Sequence, residues 1–300
     1  MDFKETKTPV LLLIYNRPEK TQIVFDRIKV AKPKNLFVSA DGPKKDKLDD
    51  IDKCTKTREI LNQIDWDCEV KTNFNQENLG CRIGVSTGIS WFFQHVNEGI
   101  ILEDDCVPDL SFFRFCSILL KKYRDIDKVM HIGGANFQDG TRRGQASYYF
   151  SYYNHVWGWA TWKRAWDLYD IDIKNYPQFI TSDVFKSMFP DKKKQKYWIK
   201  YFSQVFNHKK DTWDYQWTFA IWQNQGLSIV PNLNLVSNIG FDENATHTIL
   251  NSSLANRSIE DIGNIIHPDS IMIDHNADLY TFRKYLNINK IRKLLQLLAS

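Results

Sequence analysis

Five short strand-like runs, most of them followed by a segment with helical spacing, constrain this chain more than any other feature. TPVLLLIYNRP is a compact apolar run closed by Pro18, and EKTQIVFDRIKVA follows it with Ile23 and Ile28 on one helical stripe. KNLFVSADGP reads as a second strand that ends in a turn at Asp41, Gly42 and Pro43, and a polar helix then runs to about Ile64. CEVKTNF is a third strand, GIILEDD a fourth, and KVMHIGGANF a fifth. Between the fourth and fifth lies the helix DLSFFRFCSILLKKYRDI. Repeated βα units with wholly apolar strands predict an α/β fold, a Rossmann-like, mostly parallel central sheet with helices on both faces.

NLGCRIGVSTGISWFFQHV, before the fourth strand, is a helix in which Gly80, Gly84 and Gly88 sit four apart on one face. Interior glycine costs about 1 kcal/mol against alanine, so three imply close packing against the sheet or a ligand. In open α/β sheets ligands bind at the carboxyl ends of the strands. Those ends carry Asn16 and Arg17, then Asp41, then Glu103, Asp104 and Asp105, and their convergence on one edge is the first functional indication.

The three consecutive carboxylates ask for a reason, because they repel one another. Asp109 and Ser111 directly precede the apolar helix and are better placed to cap it, which leaves the triplet free. Hard carboxylate oxygens suit Mn²⁺ or Mg²⁺, and such an ion is most useful where diphosphate charge is neutralised during transfer.

The second half has another character. SYYFSYYNHVWGWATWKRAWDLYD and TWDYQWTFAIWQNQG are loaded with Tyr and Trp, and LSIVPNLNLVSNIG reads as a further strand before the polar loop FDENATHT. Trp157, Gly158 and Trp159 are candidates for a sugar or acceptor pocket, since aromatic faces pack on pyranose C–H faces, although Trp clusters are more often core. From about residue 250 the pattern weakens. The segment KYLNINKIRKLLQLLAS places Ile291, Leu294, Leu295 and Leu298 on one stripe flanked by Lys290, Arg292 and Lys293. Core packing or dimer contact explains that stripe at least as well as docking on a membrane surface.

Bulk properties exclude several classes. A net charge of +4 over 300 residues is no signature of nucleic-acid binding. The five cysteines form no CxxC pair, as expected of reduced thiols in a cytoplasmic protein. The apolar run Val10 to Ile14 is too short for a signal-peptide core, and no segment reaches spanning length. The expected location is cytoplasmic, with contact to the inner face of the membrane left open by the C-terminal basic helix.

The run VLLLIYNRPEKTQ, LFVSADGP and IILEDDCVPDLSFFRF resembles the nucleotide-sugar-binding half of GT-A glycosyltransferases, and specifically the N-acetylglucosaminyltransferase I family with its EDD form of the DxD motif. The resemblance continues through GGANFQDG, HVWGWATWKRAW, TWDYQW and IGFDENATHT, covering roughly residues 8 to 248. It implies a GT-A domain over 1–250, with a nucleotide-sugar half at about 8–110 and an acceptor half at about 130–250. Residues 251–300 form a C-terminal helical appendage.

By the same resemblance Asp105 coordinates the metal that bridges the donor diphosphate, Asp104 lies near the ribose and Glu103 near the donor sugar. Asp41 faces the base, and His247 contacts the metal or diphosphate. Arg17 and Arg82 are candidates for phosphate or base contacts, as guanidinium forks suit phosphate oxygens; Asn16 belongs to the same strand end. Asp214, between aromatics, is the candidate general base of an inverting transfer. Its other reading is a helix N-cap, a post that Asp211 can also fill.

The expected function is metal-dependent transfer of a sugar from a nucleotide-diphosphate sugar, a UDP-sugar favoured, to a glycan or lipid-linked acceptor. A sugar-1-phosphate nucleotidyltransferase shares the general sheet but usually carries a glycine-rich loop after the first strand, where this chain has YNRPEK. A non-catalytic carbohydrate-binding relative is the third reading, and it predicts loss of Asp105 or Asp214.

Overall fold

A computed structural model describes residues 6–241 and 254–286. Ten strands are present among these: β1 Val10–Ile14, β2 Asn35–Ala40, β3 Glu69–Phe74, β4 Glu98–Glu103, β5 Cys106–Pro108, β6 Val129–Gly133, β7 Tyr148–Ser151, β8 Trp159–Trp162, β9 Leu227–Pro231 and β10 Val236–Asn238. Eight of them form one sheet in the order β3-β2-β1-β4-β8-β6-β9-β7, and β10 pairs with β5 in a small second sheet. The pairs β3–β2, β2–β1, β1–β4 and β6–β9 are parallel. The fold is therefore the expected α/β class with a mostly parallel, Rossmann-like sheet.

The helices are α1 Pro18–Ala31, α2 Asp50–Glu59, α3 Ser86–Phe93, α4 Leu110–Lys122, α5 Lys163–Trp166, α6 Tyr176–Phe179, α7 Asp183–Met188, α8 Lys192–Phe206, α9 Asp214–Gln223 and α10 His275–Thr281. Asp109 caps α4 by accepting from Ser111 N at 2.8 Å, the role its position in the sequence predicts.

Strand β1 shows how the layers form. Val10, Leu12 and Ile14 pack with Phe25 and Ile28 of α1 and Phe112 and Leu119 of α4. Leu11 and Leu13, one residue out of phase, pack on the other face with Ile89 and Phe92 of α3 and with Trp159. Both faces are covered, so all five residues are buried and each contributes roughly 1.5–3 kcal/mol by leaving water. Of the three glycines expected on one helical face, Gly88 does what close packing requires, whereas Gly80 precedes the helix at φ +76° and so serves the turn into it. A Cβ on Gly88 would lie 2.6 Å from Ser39 Oγ and 3.1 Å from Leu13 Cδ2, so only glycine lets α3 sit this close to β1 and β2.

Two features depart from the sequence reading. Strand β8 lies antiparallel between β4 and β6, and β7 is antiparallel to β9 at the edge, so the second half of the sheet is mixed. The run LSIVPNLNLVSNIG is two strands in two sheets, not one. Pro231 has no N–H to continue a ladder. Beyond it, Asn232 donates to the carbonyls of Arg143 and Ala146 (both 2.9 Å), and Asn234 donates to Ser258 O at 3.0 Å. These side-chain bonds turn the chain away before β10 joins β5.

Residues 254–286 run back along the sheet. Asn256 N donates to Asn238 O at 3.0 Å, Glu260 N to Asn234 O at 2.9 Å, and Asp274 N to Phe150 O at 2.8 Å. Asp139 accepts from Arg257, Tyr280, Lys284 and Tyr285, joining this segment to the loop after β6. The amphipathic stripe from Ile291 to Leu298 lies outside the described residues. No described helix is long and apolar enough to cross a membrane.

The tightest tie of this segment is a buried carboxyl. Asp278 of α10 accepts from Ser151 Oγ at 2.5 Å and from Tyr152 N at 3.1 Å. Burial pushes its carboxyl up to about 7 against the opposing pull of those two bonds. The fold therefore favours the neutral acid: its stabilisation is complete below the ordinary carboxylate range and is lost as pH rises through about 7. Asp278→Asn cannot ionise. Lowering the pH from about 8 to about 5 is expected to stabilise the wild type relative to this variant by roughly 2 kcal/mol, measured by denaturant unfolding at both pH values.

Candidate active site

A cavity of about 480 Å³ opens at the carboxyl ends of β1, β2 and β4. Its floor is set by register. The parallel pairing Leu13↔Glu103 aligns the ends of β1 and β4, so Arg17, just past β1, meets Asp104 and Asp105, just past β4. Arg17 Nη1 lies 2.7 Å from Asp105 Oδ2 and 3.3 Å from Asp104 Oδ1.

The acidic cluster is held under electrostatic load. Burial, then the Asp105 and Asp104 charges, push the Glu103 carboxyl well above the usual carboxylate range. Burial pushes Asp104 up to about 7, although Arg17 pulls it the other way. Cys81 also lines the cavity, and burial and then Glu103 push its thiol up, which disfavours the nucleophilic thiolate.

Asp105 is clamped from the far side by β10. Asn238 Nδ2 donates to its Oδ1 at 3.2 Å, and Ile239 N donates to its backbone carbonyl at 2.9 Å. A Cβ on Gly240 would stand 2.1 Å from Asp105 Oδ2, so this position requires glycine. Asn238 and Gly240 carried no signal in the sequence, because their partner Asp105 is far along the chain, 133 residues from Asn238.

Asp41 is a structural hub. Its Oδ1 accepts from Gly42 N and Leu79 N, both at 2.9 Å, and its Oδ2 from Asn78 Nδ2 at 2.9 Å and Gly80 N at 3.1 Å. A carboxylate has about four lone-pair sites, and these donors take them. Asp41 lines the cavity, yet its acceptor capacity goes to shaping the loop before Gly80, which leaves the expected base contact without a free lone pair. Gly84 completes the arrangement: a Cβ there would meet Asp41 Oδ2 at 3.2 Å.

On the opposite wall, Asp214 begins α9 and lines the cavity with Lys210, Asp211, Trp213 and Tyr215. Asp214 Oδ1 accepts from Thr212 Oγ1. Neither acid is the N-cap of α9. That position is Trp213, without a side-chain cap, and Asp211 instead accepts from Arg82 N at 3.2 Å, joining this wall to the turn after Gly80. Lys210, which the sequence did not single out, holds its Nζ 4.0 Å from the Tyr215 ring centroid.

Of the site residues expected from the sequence, the structure brings Arg17, Asp41, Glu103, Asp104, Asp105, Trp157 and Asp214 to one cavity. Four others are engaged elsewhere. Asn16 donates to Asp50, a buried residue that also receives Tyr15 Oη and, at 2.7 Å, Lys44 N. Arg82 pairs with Asp172 at 2.6 Å and with Ile171 O at 3.2 Å. Trp159 is fully buried, stacked on His131 and Trp213 with ring centroids 5.2 and 5.6 Å apart. Gly158 has φ +60°, and a Cβ there would lie 2.7 Å from Val236 Cγ2, so it serves a turn and close packing. His247 lies outside the described residues.

No protein-family model matches the chain, and no curated protein matches it. Similar solved structures include HddC from Yersinia pseudotuberculosis, at 10% identity over 53% of this chain and 78% of that one, with a TM-score of 0.32. Another is the 4-diphosphocytidyl-2C-methyl-D-erythritol synthase of Anaerococcus prevotii, at 10% identity over 67% and 84% of the two chains, with a TM-score of 0.33. A third is a UDP-glucose pyrophosphorylase complexed with UDP-glucose, at 10% identity over 53% and 78%, with a TM-score of 0.32. Likenesses of this size carry no argument about the chemistry of this chain.

The Asp41 hub is open to a direct test. In Asp41→Asn either orientation of the amide sets its NH₂ against at least one of the backbone N–H groups of Gly42, Leu79 and Gly80. A loss of at least about 1–3 kcal/mol is expected in denaturant unfolding, with the 75–80 loop becoming the first protease site.

Proposed function

We propose that this protein is a metal-dependent glycosyltransferase that moves a sugar from a nucleotide-diphosphate sugar to an acceptor hydroxyl with inversion. One observation carries the reading. A single cavity is shared by the acidic cluster Glu103–Asp104–Asp105 from one half of the chain and Asp214 from the other. An inverting transfer needs both: a group that manages diphosphate charge and a separate carboxylate that takes the acceptor proton.

The donor set suits Mn²⁺ or Mg²⁺ of the kind that shares its coordination with substrate. Among the described residues no three or more carboxylate, imidazole or thiol groups are placed to hold a metal ion by themselves. Ions bound with nucleotide phosphates typically use one or two carboxylates and leave the other positions to phosphate and water. Asp105, presented at the end of β4 and oriented by Asn238, fits that pattern. When bound, such an ion neutralises the diphosphate charge.

The chain's own residues do the rest. Arg17 and Lys210 supply positive charge to a cavity otherwise rich in carboxylates, Glu103 and Asp104 accept hydrogen bonds from donor hydroxyls, and Trp157 offers an apolar face for a pyranose ring. Thr212 holds Asp214 Oδ1, so Oδ2 is the atom that takes the acceptor proton as the acceptor oxygen attacks the anomeric carbon. A UDP-sugar donor and a glycan or lipid-linked acceptor fit this scheme, and within it residues 1–250 are the catalytic domain and 251–300 its appendage.

A second reading is a sugar-1-phosphate nucleotidyltransferase. The UDP-glucose pyrophosphorylase among the similar structures has such a name, at a similarity too low to weigh. Against it stands the β1–α1 turn, Tyr15-Asn16-Arg17-Pro18, which has no glycine to bring backbone N–H groups around a triphosphate.

A single set of assays separates the two. Asp105→Ala is expected to abolish Mn²⁺-dependent stabilisation by UDP, whereas Asp214→Asn keeps that binding and lowers transfer from the donor sugar by roughly 10²–10⁴-fold. Release of pyrophosphate from a nucleoside triphosphate and a sugar 1-phosphate, unaffected by Asp214→Asn, would establish the second reading instead. The anomer of the product, read by NMR, reports inversion.

A further inference from the structure

Arg17 occupies the oxygen that a divalent cation on Asp105 would need. Asp105 Oδ2, the atom 2.7 Å from Arg17 Nη1, is the one that faces Gly240, where no room exists for even a methyl group. The other oxygen, Oδ1, is held by Asn238 Nδ2 at 3.2 Å and by the Cys106 thiol at 3.5 Å. With both oxygens engaged and the backbone carbonyl tied to Ile239 N, the carboxylate has no second orientation to adopt. A cation placed about 2.0–2.2 Å from Oδ2 would stand within a few ångströms of the guanidinium, a strongly repulsive contact.

The guanidinium is the part that can move. Its side chain keeps 22% of its exposure and lines the cavity, and its contacts on this wall are the two carboxylates themselves. A diphosphate brings the planar anionic oxygens that a guanidinium fork matches best. We propose that Arg17 is an exchangeable counter-ion: it holds Asp104 and Asp105 while the site is empty of donor, and transfers to the donor diphosphate as the metal takes its place on Asp105. Metal and nucleotide diphosphate then load cooperatively, and the metal alone binds weakly. This rests on the metal-dependent reading above.

The test is a titration of free Mn²⁺ by its electron paramagnetic resonance signal, with and without UDP, at one fixed pH for every variant. Wild type is expected to bind Mn²⁺ weakly alone and much more tightly with UDP. Arg17→Met is expected to bind Mn²⁺ alone roughly tenfold or more tightly than wild type and to lose most of the enhancement by UDP. Arg17→Lys retains a positive charge and keeps Mn²⁺ binding weak in the absence of UDP. Linkage requires Mn²⁺ to raise UDP affinity by the same factor by which UDP raises Mn²⁺ affinity, which checks the coupling independently of any transfer activity.

Thermal melting confirms that each variant is folded, and Arg17→Gln replaces Arg17→Met should the latter fail to fold. The proposal is overturned if the uncharged variant binds Mn²⁺ alone no more tightly than wild type. A wild type that binds Mn²⁺ neither alone nor with UDP overturns the metal-dependent reading itself, and this proposal with it.

Discussion

Three buried or half-buried carboxylates at the end of β4 face one guanidinium at the end of β1, and much of the site follows from that imbalance. Two unit charges about 4 Å apart interact by about 4 kcal/mol at an effective dielectric of 20, so the cluster cannot carry all its charge without a cation. Arg17 supplies part of it, while burial first, and then the neighbouring carboxylates, displace the Glu103 and Asp104 carboxyls upward. The parallel register of β1 with β4 makes the encounter, because it brings both strand ends to the same edge. Moving that register would separate charges that the burial of this edge requires to be paired.

The rest of the cavity is arranged around fixed acids. Asp41 spends its lone pairs on the backbone of the loop that leads into Gly80, and Gly84 and Gly88 let the following helix lie against β1 and β2. Asp211 reaches across to Arg82 N and so joins the wall that carries Asp214 to the same turn. From the other side β10 delivers Asn238 and Gly240 to Asp105. Asp41, Asp50 and Asp278 accept several bonds each, so acidic side chains here also hold backbone segments in place.

Much of this was legible in the sequence where the signal was local. Apolar runs of five or six residues mark strands because both sheet faces are covered, and Asp109 before an apolar helix marks a cap because a carboxylate accepts from the next turn. The acidic triplet stood out because adjacent like charges need a reason. What misled was residue type read without its surroundings. Arg82 has the chemistry of a phosphate ligand but pairs with Asp172, 90 residues on. Trp159 sits in a motif suggestive of a sugar platform, yet it opens the buried strand β8 and stacks on His131 and Trp213, while Trp157, ahead of that strand, lines the cavity.

By itself, then, the sequence determined the βα succession, the buried apolar strands, the cap of α4 and the strand ends where acids and Arg17 collect. These depend on periodicity and on neighbours a few residues apart. Only the tertiary structure decided that β8 enters antiparallel, that β10 returns to clamp Asp105, that Asn16 and Arg82 are engaged elsewhere, and that Asp214 shares a cavity with the acidic cluster. Each of these outcomes turns on contacts between residues distant along the chain, and a side chain's chemistry is set by the partner that folding brings to it.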